Sequence, residues 1–202
     1  MPKAAPRFTR LSAADRRLML IEASLDCMAE GGMASFTVDR VCARAGVSRG
    51  LVAHHFGSMA GLLAATYAHL YAKSVSASTR PPQDGSRLDG LLEALFDPTQ
   101  FNRPALNIWL SMWGAIANTP ELMAEHRRQY AIYVDLVAEV LAEHTPALGK
   151  GQAAQTLART FISLVDGLSL QHCIDPPSMP ASVARKAALD FVLHHIRQTK
   201  AP

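Results

Sequence analysis

Aromatic side chains are scarce in this chain of 202 residues: Phe, Trp and Tyr together make up 6% of it. A core so poor in rings, in a sequence where Ala and Leu recur throughout, favours packed helices, because sheets draw on β-branched and aromatic residues. Cysteine is sparse as well. Cys27, Cys42 and Cys173 lie far apart and form no C-x-x-C pair, which excludes a disulfide framework and a zinc knuckle and fits a reducing compartment. Long apolar runs are missing. The uncharged stretch at 104–119 contains Pro, Asn and Ser and is shorter than the roughly 20 residues a bilayer span needs. Leu18-Met19-Leu20-Ile21 is cut short by Glu22 and Asp26, so no signal-peptide apolar region of about 7–15 residues is present. The expectation is a cytoplasmic protein. Neither charge sign dominates: 20 Lys and Arg against 17 Asp and Glu leave a net +3, too little to imply a nucleic-acid partner from the sum alone. A hydrophobic content of 49% with 18% charged residues excludes wholesale disorder and a coiled-coil rod.

What charge there is sits unevenly. Lys3, Arg7, Arg10, Arg16 and Arg17 face the single acid Asp15, which makes a basic arm suited either to phosphate or to plain solubility. Behind it, Ser12 and Asp15 form a capping signal, and Leu18, Ile21, Leu25 and Met28 recur on one helical face as far as Gly31-Gly32. Thr37 caps a second helix through Val38, Val41, Cys42 and Ala45, and Gly46 supplies its stop. Ser48 is expected to cap a short third helix ending at Gly57. Ser58 then opens a longer one through Leu62, Leu63, Thr66, Tyr67 and Leu70. The cluster T-R-P-P-Q-D-G-S at 79–86 cannot continue a helix. Beyond it, the pattern predicts helices at 87–96, 104–118, 120–143, 151–173 and 180–199, punctuated by Asp-Pro, Thr-Pro and Pro-Pro steps. No strand alternation or internal repeat is present, so the fold class is all-α.

The segment T-V-D-R-V-C-A-R-A-G-V-S-R-G-L-V-A-H-H-F at 37–56 carries the sharpest functional signal. Two helices joined by a short glycine turn make a helix-turn-helix, whose second helix can enter the major groove of B-DNA. Leu51 or Val52 and Phe56 can pack inward while Arg49, Gly50, Ala53 and His54 point out. Arg49 offers a planar donor fork for guanine or phosphate, Gly50 allows close backbone approach, and His54 and His55 can donate to phosphates. An ordinary helical hairpin would show the same turn. Gly46-Val47-Ser48-Arg49-Gly50 also matches the G-x-S-x-G of a hydrolase elbow, but that motif requires a preceding strand and the residues before Gly46 have helical periodicity. Neither enzyme chemistry nor a cofactor is indicated. The chain has no Glu-x-x-His motif, and His54-His55, His172-Cys173 and His194-His195 place neighbours on different helix faces, so no metal site is expected.

These residues resemble the TetR family of bacterial one-component repressors, whose signature runs from a Thr-capped helix through A-G-V-S-x-G to an aromatic-Phe ending and a downstream L-L. Thr37, Val41, Ala45, Gly46, Val47, Ser48, Gly50, His54, Phe56, Leu62 and Leu63 stand at the family's positions. His55 replaces the family's usual Tyr and Met59 its usual phosphate-binding Lys, which shifts the expected burden onto Arg7, Arg10 and Arg44. The resemblance implies a DNA-binding domain over 1–57 and a ligand-binding and dimerisation domain over 58–202.

In the second half, Trp109 and Trp113 are four residues apart and share a helix face with Leu106, Met112 and Ile116 nearby, as core residues or as pocket walls. The stretch F-D-P-T-Q-F-N-R-P-A-L-N-I-W-L-S-M-W at 96–113, opening on Phe96, resembles the choline-responsive BetI branch. That resemblance implies a quaternary amine held by Trp109, Trp113 and Tyr130, with Asp97 or Asp166 as counter-charge. Apolar stripes on the last two helices, Leu157, Phe161, Leu164, Val165 and Leu168 on one and Val183, Ala187, Phe191 and Ile196 on the other, suit either internal packing or the homodimer interface the family implies. Two readings stand beside choline-responsive repression of a palindromic operator: a regulator answering to an apolar or aromatic compound, and a small helical carrier or enzyme.

Overall fold

The computed structural model describes residues 12–80, 82, 85–144 and 151–198. Its described residues form nine α-helices and one 3-10 turn, without strands. Helix α1 (Ala13–Gly31) starts with a reciprocal capping box: Ser12 Oγ accepts from the Asp15 N–H at 3.1 Å and the Asp15 carboxylate accepts from the Ser12 N–H at 3.1 Å. A 3-10 turn, Gly32–Ser35, leads to α2 (Val38–Ala45), where Thr37 Oγ1 accepts from the Arg40 N–H at 3.4 Å. Gly46 closes α2 at φ +64° in open space, so the left-handed backbone alone calls for glycine.

Helix α3 spans Gly50–Phe56. The expected Ser48 cap is not made: Arg49 occupies the N-cap position in helical geometry with no side-chain hydrogen bond, and Ser48 contributes only its backbone carbonyl, which accepts from the Leu51 N–H at 3.1 Å. A side-chain cap needs an extended N-cap residue, and the chain is already turning at Arg49. Helix α4 (Met59–Ser78) is capped by Ser58, whose Oγ accepts from the Gly61 N–H at 3.0 Å. Any side chain at Gly61 would run into the Phe56 carbonyl, so this glycine lets α3 end hard against α4.

The remaining helices are α5 (Arg87–Leu95), α6 (Arg103–Ile116), α7 (Pro120–His144), α8 (Gln152–Ile174) and α9 (Ala181–Gln198). Ser86 with Asp89 repeats the capping box at α5, and Asn102 Oδ1 accepts from the Ala105 N–H at 3.0 Å ahead of Pro104 in α6.

Burial divides the apolar side chains into two clusters. A small one holds Leu20, Ile21, Cys27, Val41, Cys42, Val52 and Leu62, and a large one is built by α4 to α9. Two helices feed both. Helix α1 sends Leu25 and Met28 into the large cluster, and α4 sends adjacent Leu62 and Leu63 to opposite sides. The sequence pattern placed Leu18 on the buried face of α1, yet it is 45% exposed. The buried arc is centred on Leu20, Ser24, Cys27 and Met28, which leaves Leu18 at its rim.

The stripes assigned to a dimer also divide. Leu157, Phe161, Val165 and Leu168 are buried within the single chain, because α8 turns them toward the bundle. Leu164, Ala187, Phe191 and Ile196 are half-buried at the cluster edge, and Val183 is exposed.

Candidate functional site

The α2–turn–α3 unit presents its outer face through short, exposed residues. Thr37, Ser48, Arg49, Gly50, Ala53 and His54 are all exposed along it. Arg49 is not a free donor fork: its Nε lies 2.5 Å from Asp39 Oδ1, across the turn. Since both side chains are more than half exposed, the pair contributes little to stability and yields readily to a competing anion. Arg44 is drawn away from a phosphate role, toward α1, where Glu30 and Asp26 (3.5 Å) engage its guanidinium. His55 turns inward. Its ring packs edge-on near Phe56 and its Nε2 is buried without a hydrogen-bond partner among the described residues, so it does not share the outer face with His54. Arg7 and Arg10 lie outside the described residues.

Arg17, which charge counting assigns only to the basic arm, has a specific contact. It donates from Nη1 to the His55 carbonyl at 2.9 Å, and its guanidinium sits 4.3 Å from the centroid of the Phe56 ring. One cation on α1 thus holds the C-terminal end of α3. Sequence spacing could not have shown this, because the contact joins residues 38 apart.

A second site lies in the larger half, a cavity of about 1040 Å³ walled by α4, α5, α6, α7 and α8, with Leu25, Asp26 and Ala29 of α1 also lining it. Trp109, Trp113, Asp97 and Asp166 line it, as do Tyr71 and Tyr133, which the sequence reading missed. The Tyr71 and Trp109 rings meet edge to face at 5.2 Å, Trp109 and Trp113 lie 6.2 Å apart, and Tyr133 stands 6.1 Å from Tyr71. Behind them the fully buried Tyr67 braces Tyr71 at 4.9 Å, and its hydroxyl meets His126 Nδ1 at 2.6 Å. Burial lowers the pKa of His126, which favours the neutral ring. The four-residue spacing of Tyr67 and Tyr71 was the one available signal for a second aromatic wall.

Three proposed ligand contacts lie off the cavity surface. Phe96 and Met112 are buried in the core, and Tyr130 stacks on His126 at 5.1 Å with Arg159 5.8 Å from its ring. Asp97 sits near the rim, where its carboxylate accepts from the backbone and hydroxyl of Thr99 and is held below the usual carboxylate range. Asp166 behaves in the opposite way. Burial pushes its carboxyl up to about 7, and no cation pairs with it among the described residues. A half-buried acid on a wall shared with tyrosines and tryptophans, with no counter-charge among the described residues, is chemically prepared for a positively charged guest. No group of three His, Cys, Asp or Glu among the described residues could hold a metal ion, and no described helix is long and apolar enough to cross a membrane.

Comparison with known proteins agrees with both halves. Residues 20–66 match the family described as bacterial regulatory proteins, tetR family, and residues 85–197 match the BetI-type transcriptional repressor C-terminal region. The chain belongs to the TetR family. This TetR regulator is 33% identical over 189 residues to the HTH-type transcriptional regulator BetI 2 of Chromohalobacter salexigens, covering 89% of each chain. A transcriptional regulator from Pseudomonas aeruginosa PAO1 superimposes with a TM-score of 0.78 at 28% identity, covering 95% of each chain. A regulator from Saccharomonospora viridis, solved in complex with choline, shares the fold at a TM-score of 0.69 and 17% identity, over 90% of this chain and 97% of that one. In this TetR regulator the reading unit and the cavity are joined by α1 and α4, the two helices that enter both cores.

Proposed function

We propose that this TetR regulator is a homodimeric repressor that holds a palindromic DNA operator through α3 and releases it when an organic cation of the choline type occupies the cavity. Asp166 carries the effector reading. A neutral apolar or aromatic guest would fill the same aromatic walls but leave the half-buried carboxylate without a partner, whereas a quaternary ammonium supplies the charge and offers its methyl groups to the faces of Trp109, Tyr71 and Tyr133. The choline-bound neighbour of the same fold supports this choice. A reading unit within 1–57 and a ligand and dimerisation unit within 58–202 remain the proposed division, supported by the presence of two apolar clusters that α1 and α4 share. The dimer reading rests on the outer faces of α8 and α9, where Leu170, Ile174 and Val183 are exposed and Leu164, Ala187 and Phe191 half-exposed. Thr37, Ser48, Arg49, Gly50, Ala53 and His54 are the proposed DNA contacts.

The test is fluorescence anisotropy with an operator selected from random duplex DNA, titrated at near-physiological salt with and without choline. The expected result is tight, specific binding that choline weakens at least tenfold in the native chain and leaves unchanged in Asp166→Asn. Release that survives loss of the carboxylate would remove Asp166 from the mechanism. Release by an uncharged aromatic compound and not by choline would favour the apolar-effector reading instead.

A further inference from the structure

Helix α1 ends in a way its own sequence does not explain. Only a single 3-10 turn follows it, no basic side chain stands in its last turn, and the Gly32 N–H reaches only the Met28 carbonyl. A further donor comes from another helix. Asn107, in the second turn of α6, donates from Nδ2 to the Met28 carbonyl at 3.1 Å and to the Ala29 carbonyl at 3.4 Å, and two carbonyl acceptors fix which way its amide faces. Ser111, one turn further along α6, lies close to Gly32 and donates its hydroxyl to the Asn107 carbonyl at 2.7 Å. A small polar seam therefore binds α6 to the end of α1.

The same helix carries the aromatic wall of the cavity, Trp109 and Trp113, about half a helical turn away from Asn107 and Ser111. Ala29, whose carbonyl Asn107 caps, itself lines the cavity. Along its C-terminal half α1 pairs with α2 through Asp26 and Glu30, and near its N-terminal end Arg17 holds α3. We infer that Asn107 is the positioning residue that transmits occupancy of the cavity to the DNA-reading unit: a guest pressing on Trp109 and Trp113 shifts α6, and the two carbonyl bonds oblige the end of α1 to follow. This inference rests on the proposed effector site for its direction but not for its contacts.

Three variants test it against the selected operator. Asn107→Ala removes the donors, Asn107→Asp keeps the shape while turning a carboxylate toward two carbonyls, and Asn107→Gln keeps an amide. Without any ligand, Asn107→Asp is expected to weaken operator binding at least fivefold with the salt dependence unchanged, because the reading unit is displaced while its phosphate contacts are kept. With choline, the ratio of operator affinities measured without and with ligand is expected to shrink about two- to tenfold in Asn107→Ala, the range one hydrogen bond supports. Choline affinity of the DNA-free protein should stay within about twofold, and Asn107→Gln should recover part of the ratio. A merely structural cap would lower the melting temperature and shift both affinities together, leaving the ratio fixed. An unchanged ratio in a variant that still binds choline, or operator binding within twofold of native in Asn107→Asp, overturns the inference. If choline fails to bind the native chain, the effector reading fails and the ligand-free arm still decides the role of Asn107.

Discussion

Asp166 couples the cavity to pH in a direction set by its shift. Its folded-state pKa, about 7, lies above the ordinary carboxylate value, so the native state holds the proton more tightly than the unfolded chain and loses stability as pH rises from about 4 to about 7. Above pH 7 the loss is complete. Asp166→Asn removes a charge that has no partner among the described residues, so its melting temperature should match the native protein near pH 4, exceed it increasingly up to about pH 7 and keep a constant lead above that, as followed by scanning fluorimetry. Choline affinity should move the other way, falling about tenfold per pH unit below 7 as the carboxyl protonates; a flat profile between pH 6 and 8 would mean that the cation does not meet this acid. On the reading unit, Arg49 and Asp39 make opposite predictions. Arg49→Ala should weaken the operator by about 1–3 kcal/mol, whereas Asp39→Asn, which frees the guanidinium and removes a repelling charge, should tighten it. If both variants weaken binding, Asp39 serves to aim Arg49 rather than to compete for it. Exposed Arg49 and cavity-lining Trp109 and Trp113 could be singled out from residue type and spacing, whereas Asp166 came only with the family resemblance, as one of two acids beside Asp97. Tyr71 and Tyr133 were not legible, because an aromatic on a long apolar helix carries no mark of which way the bundle will turn it.

At the scale of elements, capping chemistry was readable because it is local. Ser12 with Asp15, Thr37 and Ser58 announce their helices within three residues, whereas Ser48 misleads because α3 emerges from a turn already in helical geometry. What joins α1 to α3 is not local and was read only as charge. Arg17 sits in a basic arm where a phosphate contact is the natural expectation, yet its donor faces the His55 carbonyl and its plane the Phe56 ring. The two roles separate by salt. Arg17→Ala should reduce operator affinity with an unchanged slope of log affinity against log salt, since the loss comes from a misplaced α3, and Arg17→Lys should recover little of it because a lysine lacks the planar fork. A slope that falls by about one would mean that Arg17 touches a phosphate after all. In the same way, the inward His55 predicts that His55→Phe leaves operator affinity nearly unchanged, while His54→Ala, which removes an exposed donor from the outer face, weakens it.

At the scale of the whole molecule, the boundary expected at 57 does not coincide with a seam in the packing, because the two apolar cores share helices. Leu62 and Leu63 enter different cores from adjacent positions, and α1 spans both, so a cut at 57 would remove apolar side chains from the larger core as well as from the smaller one. The dimer reading sharpens by the same logic. Four of the five stripe residues on α8 are buried in folding the single chain, so a partner can bury only the complementary arc, Leu164, Leu170 and Ile174, together with Val183, Ala187 and Phe191 on α9. Ile174 is the sharpest probe because, at 66% exposed, it contributes little to the isolated fold. Ile174→Glu should leave helix content and melting of the single chain nearly unchanged while placing two carboxylates near a twofold axis, and sedimentation at micromolar concentration should then find monomers where the native protein is dimeric. Operator affinity should fall with dimerisation, because each reading unit would have to find its half-site alone, whereas choline binding to the free chain should persist, since every residue of the proposed cavity comes from one copy. A variant that stays dimeric with unchanged operator affinity would place the interface elsewhere on the bundle; a monomer that also loses choline would mean that the second copy completes the cavity.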